Sequence, residues 1–136
     1  YGRPDMAYFK FARKIVNSEK IDLHNHGKMS RDMTYIDDIV NGIIASIKFV
    51  TNANKNTYEI FNLGNNQPVL TNDLLKMLEQ KLEKNVQINN IITDNESIMT
   101  HADLTKSKKL LSYEPKVSLD QGLDLFLEWF KNYERK

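Results

Sequence analysis

The chain has 136 residues, of which 40% are apolar and 27% charged, and its formal net charge is +1. This length and composition predict one ordinary globular domain over residues 1–136. The lysines are spread along the chain, so the basic stripe that nucleic-acid binding requires is missing. The sequence has no cysteine, which excludes disulfides and thiolate metal sites. No apolar run approaches the roughly 20 residues that span a bilayer, so we expect a soluble, cytoplasmic protein without a membrane partner.

The first predicted elements are a helix, a short strand and a turn. Pro4 suits a first helical turn, and apolar residues then recur at helical spacing up to about Asn17: Met6, Phe9, Ala12, Ile15 and Val16. Residues 21–24 alternate between apolar and polar, which predicts a strand, and residues 25–27 supply the turn. His24 and His26 have the spacing of a metal pair, but no third ligand is near in sequence, so we expect surface histidines and no metal site.

The stretch from Ser30 to Asp38 predicts a second strand and the start of a helix. Apolar and polar residues alternate here, and Asp37 stands where an N-cap carboxylate accepts backbone N–H bonds. Arg31 therefore lies at a strand entrance beside a glycine turn, where a guanidinium can clamp a diphosphate with two hydrogen bonds. The alternative is a surface ion pair between Arg31 and Asp32 or Asp37, and spacing alone favours this alternative.

The rest of the chain predicts alternating helices and strands. After Asp37, a helix carries an apolar stripe that predicts a core-facing position: Ile39, Val40, Ile43, Ile44, Ile47 and Val50. A strand up to Gly64, a helix capped by Thr71, a strand within 86–92 and a helix capped by Asp103 follow. A capping box of Ser118 and Gln121 opens the last helix. The predicted fold class is α/β, with about five helices and four short strands.

Two motifs resemble one enzyme family. Residues 31–40 read Arg-Asp-Met-Thr-Tyr-Ile-Asp-Asp-Ile-Val, similar to the Arg-Asp-Phe-Thr-Tyr-Ile-Asp-Asp-Ile-Val signature of sugar-nucleotide enzymes among the extended short-chain dehydrogenases/reductases. Residues 1–7 resemble the Tyr-Gly-Pro-Trp-Gly-Arg-Pro-Asp-Met-Ala segment of the UDP-glucuronate 4-epimerases, without its Pro-Trp-Gly part. The resemblance runs over essentially the whole chain. It implies the C-terminal substrate-binding lobe of a Rossmann-type enzyme.

The resemblance also implies that the nucleotide-binding half of such an enzyme is absent. The sequence contains neither a glycine-rich dinucleotide loop nor the Tyr-x-x-x-Lys pair that carries catalysis in the family. We therefore expect a truncated chain with no catalytic residue and no cofactor of its own, NAD being the cofactor of the full-length family enzyme. Surface that the missing domain would cover is expected to promote self-association.

The ligand that the resemblance implies is a UDP-sugar, UDP-glucuronate or UDP-galacturonate. In the family, the loop and first helical turn at the chain start approach the uracil and the sugar, which assigns Arg3, Asp5 and Met6 to that wall. Arg3 suits the carboxylate of a uronate. The first strand presents backbone groups to the uracil edge in the family, and this adds Ile21 and Leu23.

Four further residues complete the implied substrate site. His24 stands where the family commonly has Tyr, and its ring would pack against the base, more weakly than a phenol ring and with a charge that depends on pH. Arg31 and Tyr35 belong to the strand motif. Glu96 stands where the family has Asp, in a loop near the ribose and phosphates, without the preceding glycine.

The implied function is UDP-sugar binding within an NAD-dependent nucleotide-sugar epimerase, most closely a UDP-glucuronate 4-epimerase. A fragment of a related dehydratase or decarboxylase is one alternative, because such enzymes share the Arg-Asp strand motif. A non-catalytic nucleotide-sugar-binding module is another.

Overall fold

The computed structural model describes residues 3–53, 56–94 and 96–133, which form five α-helices and five short strands. The helices are α1 (Ala7–Val16), α2 (Ile36–Thr51), α3 (Thr71–Leu82), α4 (Thr105–Leu111) and α5 (Leu119–Tyr133). The strands are β1 (Ile21–His24), β2 (Ser30–Arg31), β3 (Val69–Leu70), β4 (Ile88–Ile91) and β5 (Met99–Thr100). The α/β class is confirmed. The strand predicted up to Gly64 is wrong, since that segment is irregular. Strands β3 and β5 were not predicted, because two residues are too few to show an alternation of apolar and polar side chains.

The chain divides into two compact units, which are described separately. The first comprises residues 1–31, 69–99 and 123–136, and the second comprises residues 32–68 and 100–122. Helix α5 thus begins among residues of the second unit and belongs to the first from Leu123 onward. The single domain over 1–136 stays a prediction. None of the described helices is both long and apolar enough to cross a bilayer.

An aromatic and aliphatic core holds the helices of the first unit together. Helix α1 buries Phe9 and Ile15, and α3 buries Leu74 and Leu78, all at most 1% exposed. The Phe9 ring meets Phe130 of α5 edge to face, with centroids 5.4 Å apart. Burying such a side chain is worth about 1.5–3 kcal/mol, so this core is the main stabilising feature of the unit.

The strands of the first unit lie in two small sheets. Strands β1 and β4 run parallel, with Ile21 opposite Ile88 and His24 opposite Ile91. Strand β2 lies between β3 and β5, and it pairs antiparallel with β3. Because β1 and β4 are parallel, their carboxyl ends meet at the same end of the sheet.

A left-handed turn follows β1. Asn25, His26 and Gly27 have φ values of 48°, 56° and 67°, a backbone conformation that glycine adopts without strain and other residues rarely do. The Asn25 side chain pins the turn, since its Nδ2 donates to the Thr93 carbonyl and its Oδ1 accepts from the Thr93 N–H, both at 3.0 Å. A Cβ at Gly27 would lie 2.7 Å from Asn72 Cβ, so only glycine fits there.

In the second unit, the inner face of α2 packs on the segments around Leu63 and Tyr113. A Cβ at Gly42 would lie 2.6 Å from Leu63 and 3.0 Å from Tyr113, so a larger residue at this position would displace these side chains. Asp38, only 4% exposed, accepts the backbone N–H groups of Lys116 and Val117 at 3.0 Å each. This carboxylate therefore fixes the turn that leads into α5.

The apolar stripe of α2 does not form core, contrary to the prediction from its periodicity. Ile36, at the start of the helix, is 60% exposed, and five of the six predicted members are between 42% and 58% exposed: Val40, Ile43, Ile44, Ile47 and Val50. The helix is anchored instead through the opposite face, which the small residue Gly42 brings close to the rest of the unit. Periodicity located an amphipathic helix correctly but assigned the wrong face to the core.

One predicted helix cap is confirmed, and the other three predicted cap residues lie one or two positions away from the observed cap positions. Ser118 Oγ accepts the Gln121 N–H at 3.2 Å, and Gln121 accepts the Ser118 N–H in return. Asp103 lies one residue before Leu104, the cap position of α4; its carboxylate accepts the Thr105 N–H at 2.9 Å, and hydrogen bonds from Thr105 lower the pKa of this carboxyl. Asp37 lies one residue inside α2, whose cap position is Tyr35, and Thr71 is the first residue of α3.

The Asp38 contacts give a stability prediction. Replacing Asp38 with alanine leaves two backbone N–H groups without their partner, so we expect Asp38→Ala to lower the free energy of unfolding by about 2–4 kcal/mol. Asp37→Ala is the matched control: Asp37 is exposed in the first turn of the same helix, and its loss is worth less than about 1 kcal/mol. Urea denaturation measures both, and equal losses would contradict the role of Asp38.

The glycines give a second prediction. Gly27→Ala places a side chain at positive φ and against Asn72, so we expect a loss of at least about 2 kcal/mol in unfolding free energy. Gly122→Ala is the control, because its Cβ would meet nothing closer than 3.5 Å and alanine favours helix by about 0.5–1 kcal/mol. Thermal unfolding should separate the two variants in opposite directions. A neutral Gly27→Ala would show that the turn is not constrained.

Candidate functional site

The candidate site lies where the parallel strands of the first unit end. His24 is the last residue of β1, and β4 ends opposite it at Ile91. The chain then leads through Thr93 to Glu96, which returns to the end of β1: His24 Nδ1 lies 4.0 Å from Glu96 Oε1. In open α/β sheets, ligands bind outside the carboxyl ends of the strands. The structure thus puts polar side chains where that rule expects a ligand.

Arg31 is the cation of this site, and backbone carbonyls fix its orientation. Its Nη1 donates to the Ser30 carbonyl at 2.8 Å and to the Ser97 carbonyl at 2.9 Å, while Nη2 lies 4.0 Å from Glu96 Oε2. The side chain is 35% exposed. The surface ion pair with Asp32 or Asp37, the alternative from spacing, is wrong, because the carboxylate near Arg31 is that of Glu96.

Glu96 faces two cationic or potentially cationic groups without a direct hydrogen bond to either. Both distances, to His24 and to Arg31, are 4.0 Å, beyond the roughly 2.7–3.2 Å of an N–H···O bond. His24 Nδ1 is itself shielded from solvent, and no described residue hydrogen-bonds it. The cluster therefore has spare donor and acceptor capacity, which a hydroxyl group or a water molecule can use.

Three residues that the sequence analysis missed support the cluster. Asn25 and Thr93 tie the ends of β1 and β4 through the hydrogen bonds described above. Ser97 supplies the carbonyl that holds Arg31, and its own hydroxyl donates to the Met99 carbonyl at 3.1 Å. An asparagine in a turn was a visible signal for Asn25, but its partner is 68 residues away in sequence.

Arg3, Asp5 and Met6 form a separate turn at the start of α1. The Met6 N–H donates to the Arg3 carbonyl at 3.2 Å, and Arg3 Nε donates to Asp5 at 3.0 Å. The hydrogen bond from Arg3 lowers the pKa of the Asp5 carboxyl, and the same bond raises the pKa of Arg3. Both side chains are more than half exposed. No hydrogen bond or ion pair among the described residues joins this turn to the Arg31 cluster.

The other predicted site residues have different surroundings. Ile21 and Leu23 are 1% and 3% exposed, so only their backbone groups are available to a ligand. One edge of β1 pairs with β4, and no described strand pairs with its other edge. Tyr35 belongs to the second unit, where it is half-buried at the cap position of α2. The structure thus gathers His24, Arg31 and Glu96 out of the nine predicted residues.

The described residues do not fit a dinucleotide or a metal ion. Strand β3 runs directly into α3 at Leu70–Thr71 without the glycines that let a backbone approach a pyrophosphate. Within the same part of the chain, no three side chains of His, Cys, Asp or Glu lie close enough together to hold a metal.

Several known proteins are similar to this chain in sequence. A sequence model of the NAD dependent epimerase/dehydratase family matches residues 1–64. An uncharacterised protein of Methanocaldococcus jannaschii is 46% identical, over 96% of this chain and 39% of that protein. The UDP-glucuronate 4-epimerase of Thermodesulfobacterium geofontis is 37% identical, also over 96% of this chain and 39% of that enzyme.

The fold is shared with part of a solved enzyme. The crystal structure of UDP-glucuronic acid 4-epimerase from Bacillus cereus, in complex with UDP-glucuronic acid and NAD, aligns with a TM-score of 0.86 at 31% identity, over 98% of this chain and 43% of that one. The chain thus spans well under half of the length of the proteins it matches. By sequence and by fold, this chain is similar to the NAD dependent epimerase/dehydratase family and matches part of the length of its nucleotide-sugar epimerases.

Proposed function

We propose that this chain forms the UDP-sugar-binding part of a UDP-glucuronate 4-epimerase. The observation that carries the proposal is the fixed guanidinium of Arg31 at the ends of β1 and β4, held at 2.8 and 2.9 Å by two carbonyls. The B. cereus enzyme, which shares this fold, was solved with UDP-glucuronic acid. Its ligand and the name of the T. geofontis relative support the choice of sugar nucleotide.

Arg31 is assigned to the diphosphate. Two of its five N–H donors are engaged by carbonyls through Nη1, so the donors on Nη2 and Nε remain for an anion. A guanidinium whose orientation is already fixed loses little side-chain entropy on binding. A charge-assisted contact of this kind is worth roughly 1.5–3 kcal/mol.

His24, Glu96 and the free edge of β1 are assigned to the nucleoside. The Glu96 carboxylate accepts hydrogen bonds from the ribose hydroxyls, in the gap of 4.0 Å that separates it from His24 and from Arg31. The backbone of Ile21 and Leu23 offers N–H and C=O groups to the edge of uracil, as an added strand would. The half-exposed His24 ring stacks on the base.

Arg3, Asp5 and Met6 are assigned to the sugar end of the ligand. Arg3 is paired with Asp5 in an exposed turn, and a uronate carboxylate can replace Asp5 as its partner at little cost, since exposed ion pairs contribute little to stability. Such an exchange favours a uronate over a neutral sugar. The NAD-dependent chemistry is that of the relatives, and no step of it is assigned to the described residues.

The Arg31 assignment predicts the affinity for UDP. We expect Arg31→Ala to raise the dissociation constant for UDP about ten- to hundredfold, because each 1.4 kcal/mol is a factor of ten. Lys28→Ala is the matched control, since it removes one positive charge from an exposed position three residues away. Isothermal titration calorimetry with UDP and with uridine measures both effects. Equal UDP affinity in wild type and Arg31→Ala, or an equal loss for uridine, would refute the assignment.

The Arg3 assignment predicts the choice of sugar. Arg3→Ala should reduce the affinity ratio of UDP-glucuronate to UDP-glucose about tenfold and leave UDP affinity unchanged, because UDP has no uronate. Lys10→Ala, which removes an exposed charge from α1, should leave the ratio unchanged. Competition binding with the two sugar nucleotides checks this. An unaltered ratio in Arg3→Ala would exclude Arg3 from uronate recognition.

A further inference from the structure

We propose that Asn25 is a positioning residue for the diphosphate of the ligand. By holding the segment of residues 93–97, it keeps the Glu96 carboxylate apart from Arg31 and so leaves the Arg31 donors to the diphosphate. This role deepens the proposed function, since it rests on the assignment of Arg31 to the diphosphate.

The Asn25 side chain takes the place of a backbone rung beyond the last pair of β1 and β4. Strand β1 ends at His24, opposite Ile91, and the backbone turns away at Asn25, where φ is 48°. The side-chain amide then offers one donor and one acceptor, as a peptide group does. Nδ2 donates to the Thr93 carbonyl and Oδ1 accepts the Thr93 N–H, at 3.0 Å each, while Thr93 Oγ1 lies 3.2 Å from Nδ2. Both ends of the amide are therefore engaged by one residue.

Asparagine suits this position for two reasons. A positive φ disfavours most side chains, and asparagine tolerates it better than most. Its amide also matches both backbone groups of Thr93, whereas glycine has no amide and the carboxylate of an aspartate would face the Thr93 carbonyl. One side chain thus combines the turn with the hold on Thr93.

The segment of residues 93–97 is attached at both of its ends. Asn25 holds it at Thr93, and strand β2 holds it at the other end, where the Ser30 N–H donates to the Ile98 carbonyl at 2.8 Å. Without the Asn25 amide, the attachment before the segment would be the pairing of β4, which ends at Ile91. Asn25 is therefore one of two attachments that fix where the segment runs.

The position of this segment decides which groups surround Arg31. The Ser97 carbonyl accepts from Arg31 Nη1 at 2.9 Å, whereas the Glu96 carboxylate stands 4.0 Å from Nη2. A shift of about 1 Å would close that gap to the roughly 2.7–2.9 Å of a charge-assisted hydrogen bond. Glu96 would then compete with the diphosphate for Nη2. A segment fixed by Asn25 leaves this donor to the ligand.

The variant Asn25→Gly tests this role, because glycine tolerates the positive φ and only the amide is removed. We expect the ratio of UDP affinity to uridine affinity to fall about three- to tenfold, since this ratio reports the diphosphate. Asn66→Gly is the matched control: Asn66 is exposed in the second unit at a φ of 55°, and the same change there should leave the ratio unchanged. Isothermal titration calorimetry measures both ratios, and circular dichroism checks that both variants are folded.

A double-mutant cycle separates positioning from a general loss of structure. In the Arg31→Ala background, Asn25→Gly should leave the ratio unchanged, because its effect passes through the guanidinium. Nuclear magnetic resonance relaxation without ligand gives a second readout. The backbone amides of Glu96 and Ser97 should become more mobile on the picosecond-to-nanosecond timescale in Asn25→Gly and should not change in Asn66→Gly.

The possible outcomes distinguish this role from the proposed function. A ratio that falls in Arg31→Ala but not in Asn25→Gly overturns the role of Asn25 alone. An effect of Asn25→Gly that persists in the Arg31→Ala background, or amide mobility that stays as in wild type, overturns it as well. A ratio that does not fall in Arg31→Ala overturns the proposed function and the role of Asn25 with it.

Discussion

The carboxylate of Asp32 organises the loops of the second unit. It accepts backbone N–H groups from Asn65, Asn66, Gln67 and Ala102 at 3.0–3.3 Å, so one side chain satisfies two segments that are far apart in sequence. A Cβ on Gly64 would lie 2.7 Å from this carboxylate, which shows how closely the loop wraps around it. Without Asp32, four backbone donors would need other partners, at a cost of about 1–3 kcal/mol for each that stays buried.

Arg31 precedes Asp32 in the chain and acts as a hydrogen-bond donor. Its guanidinium donates to the carbonyls of Ser30 and Ser97. The Arg-Asp pair therefore combines a donor that organises carbonyls with an acceptor that organises N–H groups. Both residues are committed to the backbone, and neither forms an ion pair with the other. In Arg31, this commitment orients the remaining donors toward the end of β1, where Glu96 and His24 lie. Asp32, which fixes the loops, and Arg31, the candidate binding group, are thus adjacent in the chain.

The structural features that the sequence predicted correctly are those formed by residues close together in the chain. The capping box of Ser118 and Gln121 involves residues three positions apart, and it is present. The α2 stripe shows the limit, because periodicity reports that a helix has an apolar face but not what covers it. Gly42, on the opposite face, was the signal for close packing.

The candidate site could be predicted only in part for the same reason. The motif around Arg31 indicated an anion-binding residue, but its holding group, the Ser97 carbonyl, is 66 positions away. The pairing of Asn25 with Thr93 is equally distant and leaves no local pattern. Parallel pairing of β1 with β4 brings these segments together, and two strands of four residues do not reveal their register in sequence.

Nuclear magnetic resonance titration of the isotope-labelled chain with UDP tests the central claim most directly, namely that the ends of β1 and β4 with Arg31 form a nucleotide site. The account predicts saturable chemical-shift changes in the amides of Leu23, His24, Arg31 and Glu96, with those of the exposed face of α2 unchanged. Absence of shifts at these four residues, while UDP binds elsewhere or not at all, would contradict it.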